Sequence, residues 1–418
     1  MIESRWDVVV VGAGPAGLAA ACMAAEAGRR VVVLDENPQP GGQIWRGEDH
    51  HWIRRFSASG STFRGACTVV DQPEPGVLHV VGRNISYHLR FKRLVIATGA
   101  RERFMPFPGW TLPGVVGAGG LQALVKSGWP LAGKRVVVAG AGPLLLQAAA
   151  FFRSRGARLT CLAEQTPLRR GLSFALRSGK RLQAIALLGR LCDVPYRWSC
   201  WPVRASGQER VESVTLRQGD RMWTEPCDYL ACSFGLVPNT ELAQLVGCEL
   251  VDGAVRVDEQ QETTVSGVYC AGEPTGIGGV DLALIQGQIA GCSAAGSLQR
   301  ASAFFEQRAR WIEFRARLQA AFALRQELRQ LPDPETVVCR CEDVPLKEIR
   351  PHSCWRSAKL QTRCGMGPCQ GRICGPIVEF LFGWKVDSVR PPLTPVRLEQ
   401  LVNRGSAATA DRHDSHPG

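Results

Sequence analysis

Short apolar runs broken by glycine and proline dominate the first part of the chain. A valine-rich strand is predicted from Asp7 to Val11. Gly12, Ala13, Gly14, Pro15, Ala16 and Gly17 then turn into an alanine-rich helix that ends near Gly28, and a second strand follows over Arg30 to Leu34. The same pattern returns at an offset of 128 in "KRVVVAGAGPLLLQAAAFFRSRGARLTCLAE", which sets Gly140, Gly142 and Gly156 against Gly12, Gly14 and Gly28. Further on, "ASAFFEQRARWIEFRARLQAAFALRQELRQL" spaces its apolar residues at helical period and predicts an amphipathic helix or helix pair, with Pro332 and Pro334 marking its boundary. The closing stretch Arg404 to Gly418 is expected to be disordered.

Length and composition frame this pattern. At 418 residues the chain exceeds one ordinary core and holds two or three domains, and a hydrophobic content of 45% places it among soluble globular α/β proteins. Neither glycine-broken run reads as a membrane span or a signal peptide. A net charge of +12 fits an anionic membrane surface or an acidic partner as well as nucleic acid, but no nucleic-acid motif is present, and membrane contact is expected to be peripheral at most. With no export signal, sixteen cysteines point to a reducing compartment, so the expected location is cytoplasmic.

The first glycine turn carries chemistry. Gly12 permits the tight turn, Gly14 lets backbone approach a pyrophosphate, and Gly17 lets helix and strand pack closely. Asp35, twenty-three residues after Gly12 and directly after the second strand, is placed to accept hydrogen bonds from ribose hydroxyls, with Glu36 as the alternative. The second copy departs from this. Leu145 stands where Gly17 stood and Ala163 where Asp35 stood, with Glu164 one step later as a substitute acid. A working nucleotide site and a purely structural repeat both remain open there.

Two such units in one chain resemble the two-dinucleotide-binding-domain flavoproteins of the thioredoxin reductase superfamily, over about residues 5–295. "PGGQIWR", with Gly42 and Gln43, looks like the segment beside the flavin ring. "LVIATGA", with Thr98 and Gly99, looks like the strand and turn that close the first half of the flavin domain. "TTVSGVYCAGEPTG" resembles the late motif in which an acid after Ala-Gly bonds the ribityl chain, here Gly272 and Glu273. "FGLVPNT" resembles the return from the second domain to the first. The resemblance therefore implies FAD held by Gly12, Gly14, Pro15, Ala16, Gly17, Asp35, Glu36, Gly42, Gln43, Thr98, Gly99, Gly272 and Glu273. The redox-active CxxC of that superfamily is absent. Cys67, Cys161, Cys192, Cys200, Cys227, Cys232, Cys248, Cys270 and Cys292 are scattered and are expected to be buried hydrophobes.

Six of the sixteen cysteines fall between Cys339 and Cys374. Cys339 and Cys341 form a CxC, and Cys369 and Cys374 a CxxxxC. Two local thiolate pairs suit a [2Fe-2S] rhomb better than zinc, whose sites favour CxxC knuckles. The glycine-rich stretch between Gly365 and Gly371 lets backbone amides approach sulfur. The segment resembles the [2Fe-2S] domain of bacterioferritin-associated-ferredoxin type, which implies Cys339, Cys341, Cys369 and Cys374 as ligands. Cys364 forms a second CxxxxC with Cys369 and ranks as an alternate, while Cys354 fits no pair.

The expected fold is thus α/β: two dinucleotide-binding, Rossmann-like domains of thioredoxin-reductase type plus a small C-terminal [2Fe-2S] domain. The boundaries are 1–115 with 236–298 for the flavin domain and 116–235 for the second nucleotide-binding-like domain. A helical connector follows over 299–331, docking the cluster domain on the flavin domain, then the cluster domain at 332–390 and a partner-binding segment with the tail at 391–418. Over nearly its full length the chain resembles the relay (α-type) subunits of hetero-oligomeric amine dehydrogenases such as D-hydroxyproline dehydrogenase, octopine and nopaline oxidases, dye-linked proline dehydrogenase and hydrogen cyanide synthase. That resemblance implies an electron-relay role. Its partner is a glycine- or D-amino-acid-oxidase-like β subunit with its own FAD, and a small γ subunit and an FMN shared with the partner are further components. It also leaves ATP or NAD as an alternative occupant of one site. No catalytic residue and no electron acceptor are read from the sequence. The rival reading is a self-sufficient NAD(P)H-dependent flavin reductase serving a ferredoxin or oxygenase.

Overall fold

The computed structural model describes residues 2–177, 181–386 and 389–402. The disorder expected of 404–418 lies outside the described residues. The chain divides into two compact units, one of Met1–Ala100, Pro238–Ile312 and Ser388–Gly418, the other of Arg101–Val237 and Glu313–Asp387.

In the first unit, β1 (Ile2–Val11) lies parallel to β2 (Val31–Leu34) on one side and to β3 (Ser86–Ile96) on the other. Thr62–Arg64 extends the sheet beyond β2. On its far side β3 carries the antiparallel hairpin Cys67–Glu74 and Val77–Gly82 along its first half and the parallel strand Val268–Cys270 along its second. Val8, Val9 and Val10 are fully buried, because a parallel sheet covered on both faces gives its central strand no solvent side.

The crossover from β1 to β2 is α1 (Pro15–Glu26), buried from Ala16 to Met23 and on to Ala24. It packs against the helix Val280–Ala294 at backbone distance. A β-carbon on Gly287 would lie 2.2 Å from the Ala16 carbonyl oxygen, and one on Gly291 2.2 Å from that of Ala20. The alanine-rich composition is the condition for this approach. The segment following residue 388 returns to the edge hairpin of the same unit: Leu393 N donates to Val70 O at 2.8 Å and Gln400 Nε2 to Gly82 O at 2.7 Å.

The second unit repeats the plan. Its parallel sheet runs Tyr196–Trp198, β5 (Arg158–Glu164), β4 (Arg135–Gly140), β6 (Tyr229–Ser233), Val115–Gly117, and α2 (Leu144–Ser154) crosses from β4 to β5. A three-stranded antiparallel meander, Cys200–Ser206, Ser213–Gln218 and Arg221–Pro226, forms a separate sheet of this unit.

The connector helix α3 (Phe305–Ala321) forms as expected and runs across the boundary of the two units, yet none of its residues is fully buried. The expectation that the cysteine-rich segment docks on the flavin domain is corrected. That segment belongs to the second unit, where Leu328, Val338, Trp355 and Phe380 share one core with Phe107, Trp110 and Trp201. Trp110 Nε1 donates to Val337 O at 2.6 Å, and the Arg329 guanidinium lies 5.2 Å over the Phe380 ring. An apolar core of this kind outweighs any charge preference of an arginine-rich helix. Among the described residues no helix is long and apolar enough to cross a membrane.

The glycine contact between helices makes a test whose sign is decisive. In a free helix Gly→Ala gains about 1 kcal/mol. Gly291→Ala should instead lose roughly 1–3 kcal/mol, the cost of overpacking, read as a lower urea midpoint. A stabilised variant would show that the two helices are not in backbone contact.

Candidate functional site

The geometry of the first glycine turn follows from three missing side chains. Gly12, at φ +106°, has the Ala97 carbonyl oxygen 2.2 Å from where a β-carbon would stand, so the strand and the returning chain touch. Gly17 has the Gly12 carbonyl oxygen at 1.8 Å, which brings the first turn of α1 onto the end of β1. Gly14 differs: a β-carbon there meets nothing within 4 Å. The helix that starts at Pro15 has neither a capping side chain nor an acid in its first turn, so its leading N–H groups face that open space without a side-chain partner. These features fit a bound pyrophosphate. Gly42, at φ +59°, closes against the Cα of Gly14 at 2.8 Å from its own would-be β-carbon, and Gln43 beside it is exposed.

The acids are placed less simply. Asp35 is buried; its Oδ2 accepts from Ala13 N at 2.6 Å and its Oδ1 from Asn37 N and Nδ2 at 2.8 Å each. Oδ1 is filled by its two bonds, but Oδ2 keeps a further lone pair, so the carboxylate braces the turn and still offers one acceptor to a ribose. Glu36 is exposed. Glu273 accepts from Gly278 N at 3.1 Å and Gly279 N at 3.0 Å, which ties it to the start of the helix Val280–Ala294. Thr98 and Gly99 are fastened to Asn239, whose Nδ2 donates to Thr98 O at 2.9 Å and whose N donates to Gly99 O at 3.0 Å. The structure thus brings the glycine turn, Asp35, Gly42, the Thr98–Gly99 turn and the Gly272–Glu273 turn into one unit. Asn239 is a residue that the motif reading misses; its place inside "FGLVPNT" is the signal that points to it.

The second copy preserves the acid by a different route. Val11 pairs with Leu34 in the first unit, which sets Gly12 level with Asp35. In the second, Leu159 pairs with Val136 but Cys161 with Val137, so Thr160 is an extra residue in β5, and Gly140 faces Glu164. Glu164, not Ala163, is the counterpart of Asp35. It accepts from Gly142 N at 2.7 Å and Thr166 N at 2.8 Å, is fully buried, and burial pushes its carboxyl up to about 7.

The cysteine-rich segment gathers its thiols crosswise. The Sγ atoms of Cys339, Cys364 and Cys374 lie within 4.8 Å of one another and all three residues are buried. Cys341 and Cys369, both nearer the surface, form a second pair in hydrogen-bond contact. Each CxC cysteine therefore lies beside one cysteine of the later pair. The thiols of Cys364 and then Cys374 donate to Cys339 and hold it far below the ordinary thiol range, with the backbone N–H groups of Gly365 and Glu342 adding to the effect. Bonding to that thiolate pushes Cys364 up to about 12. The loop fits only glycine at two points: a β-carbon on Gly367 would lie 2.3 Å from Cys341 Cβ, and one on Gly365, at φ +83°, 2.6 Å from the Trp355 ring. Asp343, Arg363 and Gln370 hold positive φ close by, strain of the kind that functional loops retain. Soft sulfur donors met by amide donors fit an iron–sulfur cluster. Cys354 is exposed and lies outside both groups.

The scattered cysteines behave as small apolar residues. Burial pushes Cys161, Cys200 and Cys227 up to about 12, and only Cys192 of that group is exposed.

Comparisons with known proteins agree with the dinucleotide folds. Residues 6–297 match the family described as pyridine nucleotide-disulphide oxidoreductase. The chain is similar to one of the named subunits of opine oxidase from Agrobacterium tumefaciens, the one lettered first, at 33% identity over 98% of this chain and 94% of the relative. It is also similar to hydrogen cyanide synthase subunit HcnB of Pseudomonas protegens, at 29% identity over 88% and 89%. In fold it resembles the L-proline dehydrogenase from P. horikoshii, with TM-score 0.69, 20% identity, and 96% of this chain and 80% of that one covered. It also resembles the thioredoxin reductase of T. acidophilum, with TM-score 0.54, 24% identity, and 72% and 100% covered.

The open space at Gly14 separates binding from folding. Gly14→Val should keep the fold, because its β-carbon meets no protein atom, yet lower bound flavin more than about tenfold by blocking the pyrophosphate. Gly17→Ala should unfold the unit. Flavin released on denaturation and thermal melting check both; full flavin content in Gly14→Val would move the site elsewhere.

Proposed function

The chain belongs to the pyridine nucleotide-disulphide oxidoreductase family, and from that premise we propose that it is the electron-transfer subunit of a heteromeric dehydrogenase acting on an amino or imino acid. The observation that carries the reading is a pairing within one chain: an uncapped dinucleotide turn at Gly12–Gly17 and five cysteines converging from Cys339 to Cys374. Two relatives matched over most of their length, from opine oxidase and from hydrogen cyanide synthase, bear names of subunits and support a partner chain.

In this reading Gly12, Gly14, Gly17 and the first turn of α1 hold the pyrophosphate of FAD. Asp35 takes the ribose, and Gly42, Gln43, Thr98, Gly99, Gly272 and Glu273 line the remainder. Cys339, Cys341, Cys369 and Cys374 hold a [2Fe-2S] cluster, and Cys364 is a reserve thiol within the same nest. A flavin exchanges a hydride for single electrons and a [2Fe-2S] cluster carries one electron at a time, which is the chemical reason to combine them. The residues of this chain exclude water from Cys339 and Cys374 and supply amide donors to sulfur. The substrate amine, of D-hydroxyproline, opine or glycine type, loses a hydride from carbon and a proton from nitrogen on the partner subunit, becoming an imine. The two electrons leave through this chain.

Anaerobically purified protein should contain about two irons and give a rhombic electron paramagnetic resonance signal after dithionite; zinc in place of iron would sink the assignment. Cys369→Ser should abolish the signal while Cys364→Ser keeps most of it, and the reverse result would exchange those two cysteines as ligands.

The chain alone should oxidise no amine, whereas a complex with its glycine-oxidase-like partner should reduce a dye with an imino acid. Equal rates from the single chain would refute the relay role.

A further inference from the structure

The two copies of the dinucleotide fold differ most at their second glycine. In the first unit a side chain on Gly14 would enter open space; in the second, one on Gly142 would lie 3.5 Å from the ring of Phe322. Phe322 comes from the chain that follows α3, some 180 residues away in sequence. It is not there by chance contact, since the stretch around it is fastened at each step. Phe322 packs edge-on against Phe174 with ring centroids 5.3 Å apart. The buried Gln165 reaches out with both ends of its amide: Nε2 donates to Ala323 O at 3.2 Å and Oε1 accepts from Arg325 N at 3.0 Å. The Arg325 guanidinium lies 4.8 Å over the Trp201 ring, and Leu328 enters the core.

Gln165 directly follows Glu164, the counterpart of Asp35. At the equivalent point the first unit has Glu36, which is exposed. A second ligand-facing element is also changed. Leu145, fully buried, stands where the third glycine lets helix meet strand, whereas Glu164 keeps the bracing role of Asp35 by accepting from Gly142 N and Thr166 N.

We infer that the second dinucleotide fold is a closed site whose occupant is the chain's own segment Phe322–Arg325, and that its function is to seat the cysteine-rich segment. A dinucleotide would have to replace a phenyl ring over Gly142 with a pyrophosphate and break both bonds to Gln165. The fold's phosphate-facing end is thus used for an internal protein contact, and the chain takes no electrons from NADH or NADPH. This inference is independent of the identity of the metal and of the amine.

Hydrogen–deuterium exchange on the full chain tests it. In the wild type the Arg325 amide should exchange slowly, and millimolar NADH, NADPH or ADP-ribose should leave both the Gly140–Gly142 turn and residues 322–325 unchanged. Gln165→Ala removes two hydrogen bonds and should speed exchange at Arg325 by about tenfold or more. Phe322→Ala should do the same across 322–325, and Phe322→Leu serves if the alanine variant does not fold. Protection of the glycine turn by any of the three nucleotides, release of 322–325 on adding one, or unchanged exchange in the variants would each overturn the proposal.

Discussion

The first unit depends on a backbone-to-backbone contact that no side chain permits. Ala97 O occupies the space of a side chain on Gly12, and Gly12 O occupies that of one on Gly17. Because both contacts are made by main chain, β1 can end against the turn at Ala97 while α1 starts directly on top of it. The helix N-terminus is then presented at the edge of the sheet without any group of its own to cap it. Asp35 holds Ala13 N in place, so the turn is rigid before any ligand arrives. The alanines of α1 and the glycines at 287 and 291 extend the same economy of volume to the helix behind it.

What can be read from the sequence is what lies close along it. Strand, turn, helix and second strand fall within some thirty residues, and the glycines that shape the turn are local necessities. The grouping of Cys339 to Cys374 is equally visible. The misjudgements concern distances that spacing does not encode. Ala163 stands at the acid's place by counting, but a bulge at Thr160 advances β5 by one residue and brings Glu164 there instead. Spacing shows two thiol pairs along the chain but not that Cys339 lies beside Cys364 and Cys374, and Cys341 beside Cys369. An arginine-rich connector gives no sign of which unit its neighbours join, since that is decided by Leu328, Val338 and Trp355 against Trp110 and Trp201. No periodicity marks such contacts.

The thiol nest shows the same logic as the glycine turn, with sulfur in place of phosphate. A buried thiolate is costly unless donors face it. Cys339 has two thiols and the backbone N–H groups of Gly365 and Glu342 directed at it, and the loop that delivers the Gly365 amide packs against Trp355 and Cys341 only because residues 365 and 367 lack side chains. Positive φ at Arg363, whose N–H caps Lys359 O at 3.0 Å, ends the helix Trp355–Thr362 abruptly and turns Cys364 inward. The backbone strain and the depressed Cys339 thiol are therefore two consequences of one demand, convergence of donors on sulfur.

The two units use the same strand–turn–helix differently because of what covers the second glycine. Where Gly14 is open, the helix dipole and free amides remain available to an anion. Where Phe322 covers Gly142, the same dipole faces an aromatic ring, and the neighbouring glutamine turns from solvent to backbone. The repeat thus yields one site for a ligand and one for a protein segment. Duplicating a fold duplicates its backbone; the fate of each copy is settled by the few residues that reach its phosphate-facing end. In this chain, those residues come from the stretch that leads directly to the cysteines.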